Sequence, residues 1–391
     1  MALAVKRMTE LELDGRRLLI RQDLNVPIKD GEVTSGKRLS AALPTIEYAL
    51  QHRARVALVS HLGRPREGAV DAALSLAPVA TMLAELLGRP VPLVTDWLDG
   101  IDVQPGNVVL CENVRFHAGE TANDDALARR LAALCDIYVM DAFGTAHRAH
   151  ASTHGIARHA PVACAGPLLV GELEALARAL DEPARPVVAI IGGSKVSTKL
   201  AVLGALASKV DELIVGGGIA NTLLAAAGVE VGRSLQEAQM HGFAAKLLAR
   251  EFGRASVPLP TDVVVAESMD AGVRGTVKPT DAIATRDMIL DIGPDTARAY
   301  GERLSRAGTI LWNGPVGVFE HPEFSQGTRS IAEAVAASHA FSIAGGGETL
   351  AAIEQFGVVD EISYLSTGGG AFLQVLEDKP LPALEILADR A

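Results

Sequence analysis

Four apolar runs in the first half of the chain are each followed at once by polar and cationic residues, and that recurrence marks a place where an anion could be gripped. Arg21, Asp23 and Asn25 follow Arg17 to Ile20, and His61 and Arg64 follow Val56 to Ser60. Asn113 and Arg115 follow Val108 to Cys111, while Asp141, His147 and Arg148 follow Ile137 to Met140. Arg38 joins them from the segment after the turn at Lys29-Asp30-Gly31. A planar guanidinium matches carboxylate and phosphate oxygens two at a time, so arginines converging on one sheet edge suit a small acid or phosphate. One such arginine alone would be a solvated charge or a local ion pair; recurrence after four runs argues for a shared site. His61 and His147 fit a packed or capping histidine as well as a ligand contact, and neither has a second His or Cys at metal-ligand spacing.

The second half carries glycine at the corresponding positions. Gly192-Gly193 follow Val187 to Ile191, Gly216 to Gly218 follow Leu213 to Val215, and Asn313-Gly314-Pro315 follow Thr309 to Trp312. Gly345 to Gly347 follow Phe341 to Ala344, and Gly368 to Gly370 follow Ser366-Thr367. Glycine lets backbone N–H groups approach an anion closely, and a helix beginning there adds its positive end, which suits a polyphosphate. Each cluster could instead be a tight turn or a close strand–helix contact. Lys195 and Lys199 are expected to begin the helix after Gly192-Gly193, on one face near its N-terminus. Cations there oppose the helix dipole unless a bound anion offsets them. Glu320 lies beyond a strand end, where its carboxylate could accept ribose hydroxyls. Glu348 either holds Mg²⁺ against phosphate oxygens or stabilises its own helix as a first-turn acid.

Competing motifs fail on single residues. In Gly31-Glu-Val-Thr-Ser-Gly36-Lys37-Arg38, Arg38 replaces the hydroxyl residue of a P-loop. No glycine cluster completes GxGxxG, because Asn221, Leu350 and Leu373 occupy the sixth positions, which weakens a hydride-transfer reading. Neither GxSxG nor HExxH is present.

The elements that must position these residues follow a simple rhythm. Short Val/Ile/Leu runs alternate with helical patterns at Leu74 to Leu87, Asp124 to Leu134 and Ile331 to Ser338, the form of βαβ units with a mainly parallel sheet. Further strands are expected at Val91 to Val94, Val263 to Val265 and Ile362 to Leu365. At 391 residues the chain exceeds one usual core, so two domains are expected, with the seam after Gly166-Pro167 and the helix Leu168 to Leu180 leading to prolines 183 and 186. The expected division is 1–167, a hinge helix and linker 168–185, a second domain 186–375, and a terminal segment 376–391 packing back on the first.

Composition narrows the function classes. Hydrophobic residues at 49% and charged ones at 21% describe a folded globular chain. The net charge of −11 disfavours a general nucleic-acid binder, and nine Phe, four Tyr and two Trp leave little for base-stacking platforms. Residues 1–170 hold 18 Lys and Arg against 19 Asp and Glu, and residues 171–391 hold 18 against 28, so an anion would favour the first part. The most apolar stretch, Pro161 to Leu176, is broken by Gly166, Pro167, Gly171, Glu172 and Glu174, so no membrane span is expected. The N-terminus does not resemble a signal peptide, and Cys111, Cys135 and Cys164 are odd in number without CxxC spacing; a cytoplasmic protein with reduced packing thiols is expected.

Over essentially its whole length the chain resembles the phosphoglycerate kinase family. The stretches that carry the resemblance, in the family's order, are RQDLNVP (Arg21 to Pro27), SHLGRP (Ser60 to Pro65), ENVRF (Glu112 to Phe116) and MDAFGTAHRAHAS (Met140 to Ser152). They continue with GGSKVSTK (Gly192 to Lys199), LWNGPVGVFE (Leu311 to Glu320), GGGETLAA (Gly345 to Ala352) and STGGGA (Ser366 to Ala371). The resemblance implies two doubly wound α/β domains joined by a hinge helix with a cleft between them. It implies reversible, Mg²⁺-dependent phosphoryl transfer in glycolysis from 1,3-bisphosphoglycerate to ADP, giving 3-phosphoglycerate and ATP.

Carried over motif by motif, it implies that Asp23, Asn25, Arg38, His61, Arg64, Arg115 and Arg148 hold the glycerate. Gly193, Lys199, Gly217, Asn313, Glu320, Gly346, Gly347, Glu348 and Thr349 would hold the nucleotide, and Arg38, Lys195 and Lys199 would touch the phosphoryl group in flight. Glu348 stands where the family commonly has Asp, and its extra methylene leaves open whether it meets Mg²⁺ directly or through water. A monomer using small-molecule substrates is expected. The rival is a non-catalytic nucleotide- or anion-binding protein on the same fold, which would have no use for Arg38, Lys195 and Lys199.

Overall fold

The computed structural model describes residues 4–270 and 272–391. Two compact units are present, one running to Glu174 and including Pro380–Ala391, the other spanning Ala175–Lys379.

The first unit is built on six parallel strands. In chain order its strands are β1 (Arg17–Arg21), the small hairpin β2 (Ile28–Lys29) and β3 (Glu32–Val33), β4 (Arg55–Val59), β5 (Leu93–Val94), β6 (Val108–Cys111), β7 (Ile137–Met140) and β8 (Val162–Ala165). The main sheet has the order β5-β6-β4-β1-β7-β8. Continuous apolar runs form these strands because both faces are covered; every residue of β6 and β7 is buried. Helices α1 (Lys37–Gln51), α2 (Ala77–Leu87), α3 (Asp125–Ala133) and α4 (Ile156–His159) follow the strands. Leu18, Ile20, Ile46, Leu58, Val79, Leu83 and Leu110 share one buried cluster. The Asp124 carboxylate accepts the Leu127 N–H and starts α3. Because β1 has β4 on one side and β7 on the other, the chain winds away from it in both directions, and the crevice at that reversal is where α/β sheets place ligands.

The second unit contributes β9 (Val187–Ile191), β10 (Glu212–Val215), β11 (Asp262–Ala266), β12 (Thr276–Pro279), β13 (Met288–Ile292), β14 (Thr309–Asn313), β15 (Phe341–Gly345) and β16 (Tyr364–Ser366). A five-stranded parallel sheet has the order β10-β9-β14-β15-β16, so its reversal falls between β9 and β14. Its helices follow α5 (Pro167–Leu180), which carries the chain from one unit to the other: α6 (Leu200–Lys209), α7 (Gly217–Ala226), α8 (His241–Leu248), α9 (Pro294–Leu304), α10 (Gln326–Ala336), α11 (Gly347–Gln355) and α12 (Gly369–Leu376). The last helix, α13 (Pro382–Asp389), belongs to the first unit, where Ala383 N donates to Ala146 O at 3.2 Å and Arg390 Nη2 to Ala160 O at 2.8 Å.

Several expectations need correction. The run Val263 to Val265 does not join the parallel sheet; as part of β11 it pairs antiparallel with both β12 and β13. Strand β12 was not expected because its mainly exposed Thr-Val-Lys-Pro sequence has no apolar run. Strand β8 was not expected because four residues between Pro161 and Gly166 merge by composition with the apolar helix that follows. Helix α2 starts at Ala77 rather than Leu74, since Ala72–Leu74 form a separate 3₁₀ turn capped by Asp71. All three cysteines are buried and free. Among the described residues no helix is long and apolar enough to cross a membrane.

Candidate active site

In the first unit, the ends of β1, β4, β6 and β7 bring the expected cations to one edge. Arg21 lies beneath the site rather than in it. It is 1% exposed, and its Nε donates to Ser152 Oγ at 3.0 Å while Nη1 donates to the Gln22 carbonyl. Its Nη2 meets His61 Nδ1 at 3.3 Å. A guanidinium can only donate, so Nδ1 accepts and the neutral His61 ring carries its proton on Nε2. Burial, then the charges of Arg21, Arg115, Arg148 and Arg38, push His61 well below the usual histidine range. The charges that act on His61 identify a cluster of cations around it.

Short polar bonds set the reach of the remaining groups. Arg38 Nη1 donates to Asn25 O at 2.7 Å and Asp23 Oδ1 at 3.2 Å, with 39% of its side chain exposed. Asn25 Oδ1 in turn accepts Gly63 N at 2.9 Å, tying the segment after β1 to the one after β4. Asn113 anchors two loops by donating to Leu62 O and Leu74 O at 2.8 and 2.9 Å. Arg115 Nη1 donates to Gly63 O at 2.5 Å. Burial, then Arg148 and Arg21, lowers Arg115 to about 10. A cavity of about 360 Å³ is lined by Arg64, Glu67, Arg115, Thr121, Arg148 and His150. His150 is lowered to about 4 by burial, then by Arg115, Arg21 and Arg148. Charge here is predominantly of one sign, and an arriving anion would relieve the mutual repulsion.

Glu67, Thr121 and His150 were not expected at this site. They come from three separate loops, joined where Glu67 accepts Gly119 N and Thr121 N at 3.0 and 2.8 Å, and no local pattern links them. His147 is half-buried and accepts the Arg148 Nε at 3.2 Å, so it steadies an arginine. Asp141 lies under the edge, accepting Gln22 Nε2 at 2.7 Å and Leu169 N at 3.0 Å.

In the second unit, Lys195 and Lys199 do not lie on a helix. Helix α6 begins at Leu200 with Lys199 as its N-cap residue, and residues 194–199 form an irregular loop that ends in a turn at 197–199. Side-chain bonds compete with the helix there: Ser197 gives its N–H and hydroxyl to Glu237 at 2.7 and 2.6 Å, and Thr198 Oγ1 donates to Lys195 O at 2.8 Å. Released from the helix, Lys199 reaches back over the sheet. Its Nζ donates to Gly192 O at 2.6 Å and Asn313 Oδ1 at 2.7 Å, and burial lowers it to about 8 against the pull of Glu348. Lys195 remains exposed on the loop.

The glycines divide into two kinds. A Cβ on Gly192 would fall 1.7 Å from Pro315 O, and one on Gly216 would fall 2.3 Å from Val316 Cα, so these serve the close packing of one strand end on another. Gly217 is also tight, against Gly193 O, although it lines the cavity. Gly347, by contrast, opens on free space at the first turn of α11, and Gly193 faces only the Lys199 side chain. Gly346 adopts φ +100° beside the Asn313 amide. Thr349 is buried, its hydroxyl accepting Gly314 N at 2.7 Å and donating to Gly345 O at 2.9 Å, so it braces the Gly314 turn.

A cavity of about 450 Å³ joins these groups, with Gly193, Gly217, Glu320 and Glu348 on its lining. Both glutamates are exposed. Its other wall is apolar, formed by Leu235, Met269, Met288, Leu290 and Val318. That wall was not expected, although Met288 to Ile292 is apolar enough to have been read as a strand. An apolar slot beside open glycines and a half-buried lysine suits a flat ring carrying a charged tail.

Parallel α/β units with cationic and glycine-rich strand ends are an architecture that enzymes acting on small phosphorylated molecules use. The phosphoglycerate kinase family model matches residues 8–379. A phosphoglycerate kinase of Nitratidesulfovibrio vulgaris is 61% identical over all 391 residues and 99% of its own length. The solved phosphoglycerate kinase of Coxiella burnetii is 53% identical with a TM-score of 0.94, covering 99% of this chain and 100% of that one. That of Pyrococcus horikoshii OT3 is 32% identical with a TM-score of 0.84 and the same coverage. The chain belongs to the phosphoglycerate kinase family, ATP- and ADP-using glycolytic kinases whose phosphoryl acceptor is a carboxyl group. A non-catalytic reading of the fold is not supported.

Proposed function

We propose that the first unit holds 3-phosphoglycerate or 1,3-bisphosphoglycerate through Asp23, Asn25, Arg38, His61, Arg64, Arg115 and Arg148. The second unit holds ADP or ATP, with the base against the apolar wall and the phosphates at Gly193, Lys199, Gly346 and Gly347. The observation that carries this division is the lining of the two sites: Arg64, Arg115 and Arg148 gather in one unit near the buried His61, while an apolar slot with open glycines lies in the other.

In the forward direction a β-phosphate oxygen of ADP attacks the acyl phosphorus, the bond from phosphorus to the carboxyl oxygen breaks, and the carboxylate leaves. Both the attacking and departing oxygens are anionic at neutral pH, so no general base is needed. The reaction needs alignment and positive charge around the transferring group. Arg38, Lys195 and Lys199 supply that charge, with Arg38 acting as an arginine finger. Donor and acceptor must come within about 3–3.5 Å, and the proposed hinge for that approach is α5, which carries the chain from one unit to the other.

Among the described residues no three His, Cys, Asp or Glu side chains gather as a metal site. Two exposed carboxylates, Glu320 and Glu348, line the nucleotide cavity, and Glu348, in the first turn of α11, fits Mg²⁺, which is held by one or two carboxylates together with substrate phosphates. When bound, Mg²⁺ neutralises phosphate charge. The protein acts in the cytoplasm as a monomer. The test is ATP formation from 1,3-bisphosphoglycerate and Mg-ADP by wild type, Arg38→Ala and Lys199→Ala; variants as active as wild type would overturn the residue roles.

A further inference from the structure

The nucleotide cavity has a support that none of the expected site residues provides. Leu290 and Met288 of β13 form one part of its wall, and Gly317, Val318 and Glu320 form the next. Val318 N donates to Leu290 O at 2.8 Å, which fastens the two parts together. Behind them Asp291 is 2% exposed. Its Oδ2 accepts Gly327 N at the start of α10 at 2.6 Å, and its Oδ1 accepts Ile292 N at 2.9 Å. A Cβ on Gly317 would fall 2.1 Å from Asp291 Oδ1, and one on Gly327 would fall 2.2 Å from the same oxygen. Both backbone segments are therefore closed down on one carboxylate. From α10, Thr328 Oγ1 accepts Val316 N and Gly317 N, both at 3.2 Å.

A buried carboxyl is expensive, and burial pushes this one up to about 7 despite the two N–H bonds that pull it down. The core would be served as well by an apolar side chain. What an apolar residue could not do is accept the Gly327 N–H and hold α10, with Thr328, against the segment that carries Val318 and Glu320. We infer that Asp291, with Thr328, is a positioning residue for nucleotide binding, fixing residues 316–320 as the wall against which the base and ribose rest. This inference rests on placing the nucleotide in the second unit's cavity.

Asp291→Asn is nearly isosteric, but its amide must face either Gly327 N–H or Ile292 N–H, setting donor against donor. Thr328→Val removes the other acceptor while keeping the shape. Full-length wild type, Asp291→Asn, Thr328→Val and the double variant are to be compared by calorimetric ADP titration and by steady-state kinetics, at a temperature where circular dichroism shows each folded. The expected result is a KM for nucleotide raised about tenfold or more in each single variant, with the KM for 3-phosphoglycerate and kcat at saturating nucleotide within about twofold of wild type. The double variant should fall short of the product of the single effects, since both residues brace one segment.

Unchanged ADP affinity, or an equal rise in both KM values, overturns the inference, and Thr328→Val decides alone if Asp291→Asn does not fold. Val318→Trp, which fills the cavity, separates the two levels. If it leaves ADP binding intact, the placement of the nucleotide is wrong. If it abolishes binding while Asp291→Asn and Thr328→Val bind ADP normally, only the role of Asp291 falls.

Discussion

The Lys199 ammonium lies 2.7 Å from Asn313 Oδ1, across the line where β9 and β14 run side by side in the second unit's sheet. Asn313 pairs with Ile191 in that register, so the end of one strand presents an acceptor to a lysine that follows the other. The Asn313 amide group is held from the opposite side by donating to Gly345 O at 2.7 Å. A polar residue at the sheet's reversal thus aims a cation that the sequence leaves eight residues beyond its strand.

Burial lowers Lys199 to about 8, so above that pH the free lysine loses its charge and the phosphate contact proposed for it should weaken. Bound phosphate favours the charged form, so ADP binding takes up a proton when pH exceeds the free-enzyme value. Calorimetric titrations in buffers of different ionisation enthalpy should show affinity falling from pH 7 to 9 with net proton uptake. In Lys199→Gln the affinity should be weak and this pH dependence absent. A wild-type affinity that stays flat over that range would contradict the role given to this lysine.

Arg38 reaches Asp23 and the Asn25 carbonyl and leaves much of its fork accessible. Arg38→Ala should lower kcat by a factor on the order of 10³ to 10⁵, as expected for an arginine that meets the transferring phosphoryl group. Arg38→Lys should recover little, since a point charge does not reproduce the planar fork. Near-normal turnover of Arg38→Lys with saturating substrates would remove Arg38 from the transition state.

His150 is held at about 4 by burial, then by Arg115, Arg21 and Arg148. Neutralising those arginines with 3-phosphoglycerate should move it upward toward the ordinary value of about 6.5. Imidazole nitrogen NMR across pH 4 to 7, with and without the ligand, measures this directly. Without ligand the sign for stability is also set. The native state resists protonating a ring that the unfolded chain protonates below about 6.5, so His150 makes stability fall as pH drops from about 6.5 toward 4. His150→Phe should reduce that loss.

Two kinds of glycine predict two kinds of defect. Gly216→Ala drives a methyl to 2.3 Å from the Val316 backbone and should destabilise the fold by about 1–3 kcal/mol, seen as a lower thermal midpoint. Gly347→Ala meets open space, so the midpoint should hold while ADP affinity falls because the methyl stands where a phosphate approaches. Equal effects of both changes on stability and on affinity would show the distinction to be wrong.

Parallel sheets are legible in sequence because a strand buried on both faces must be a continuous apolar run, and β6, β7 and β9 have the bounds their runs predict. The candidate site positions are legible for a related reason: a chain leaving a parallel strand enters the crevice side first, so Asn25, His61, Arg115 and Asn313 stand just past their runs. Local pattern could not say which polar groups face a ligand and which face one another. Arg21 and Arg115 look alike as residues after strands, yet Arg21 is spent on Ser152, Gln22 and His61.

Lys195 and Lys199 have helical spacing, but Glu237, some forty residues later, holds Ser197 in a turn instead. Gly192 and Gly347 are one residue type in similar company, and only the position of Pro315 makes the first a packing contact. The apolar wall and Asp291 depend on β13 lying beside the segment 316–320. Such pairings join residues far apart in the chain, and what decides them is which hydrogen bonds survive when water is excluded, a competition that exists only once the strands have been brought together.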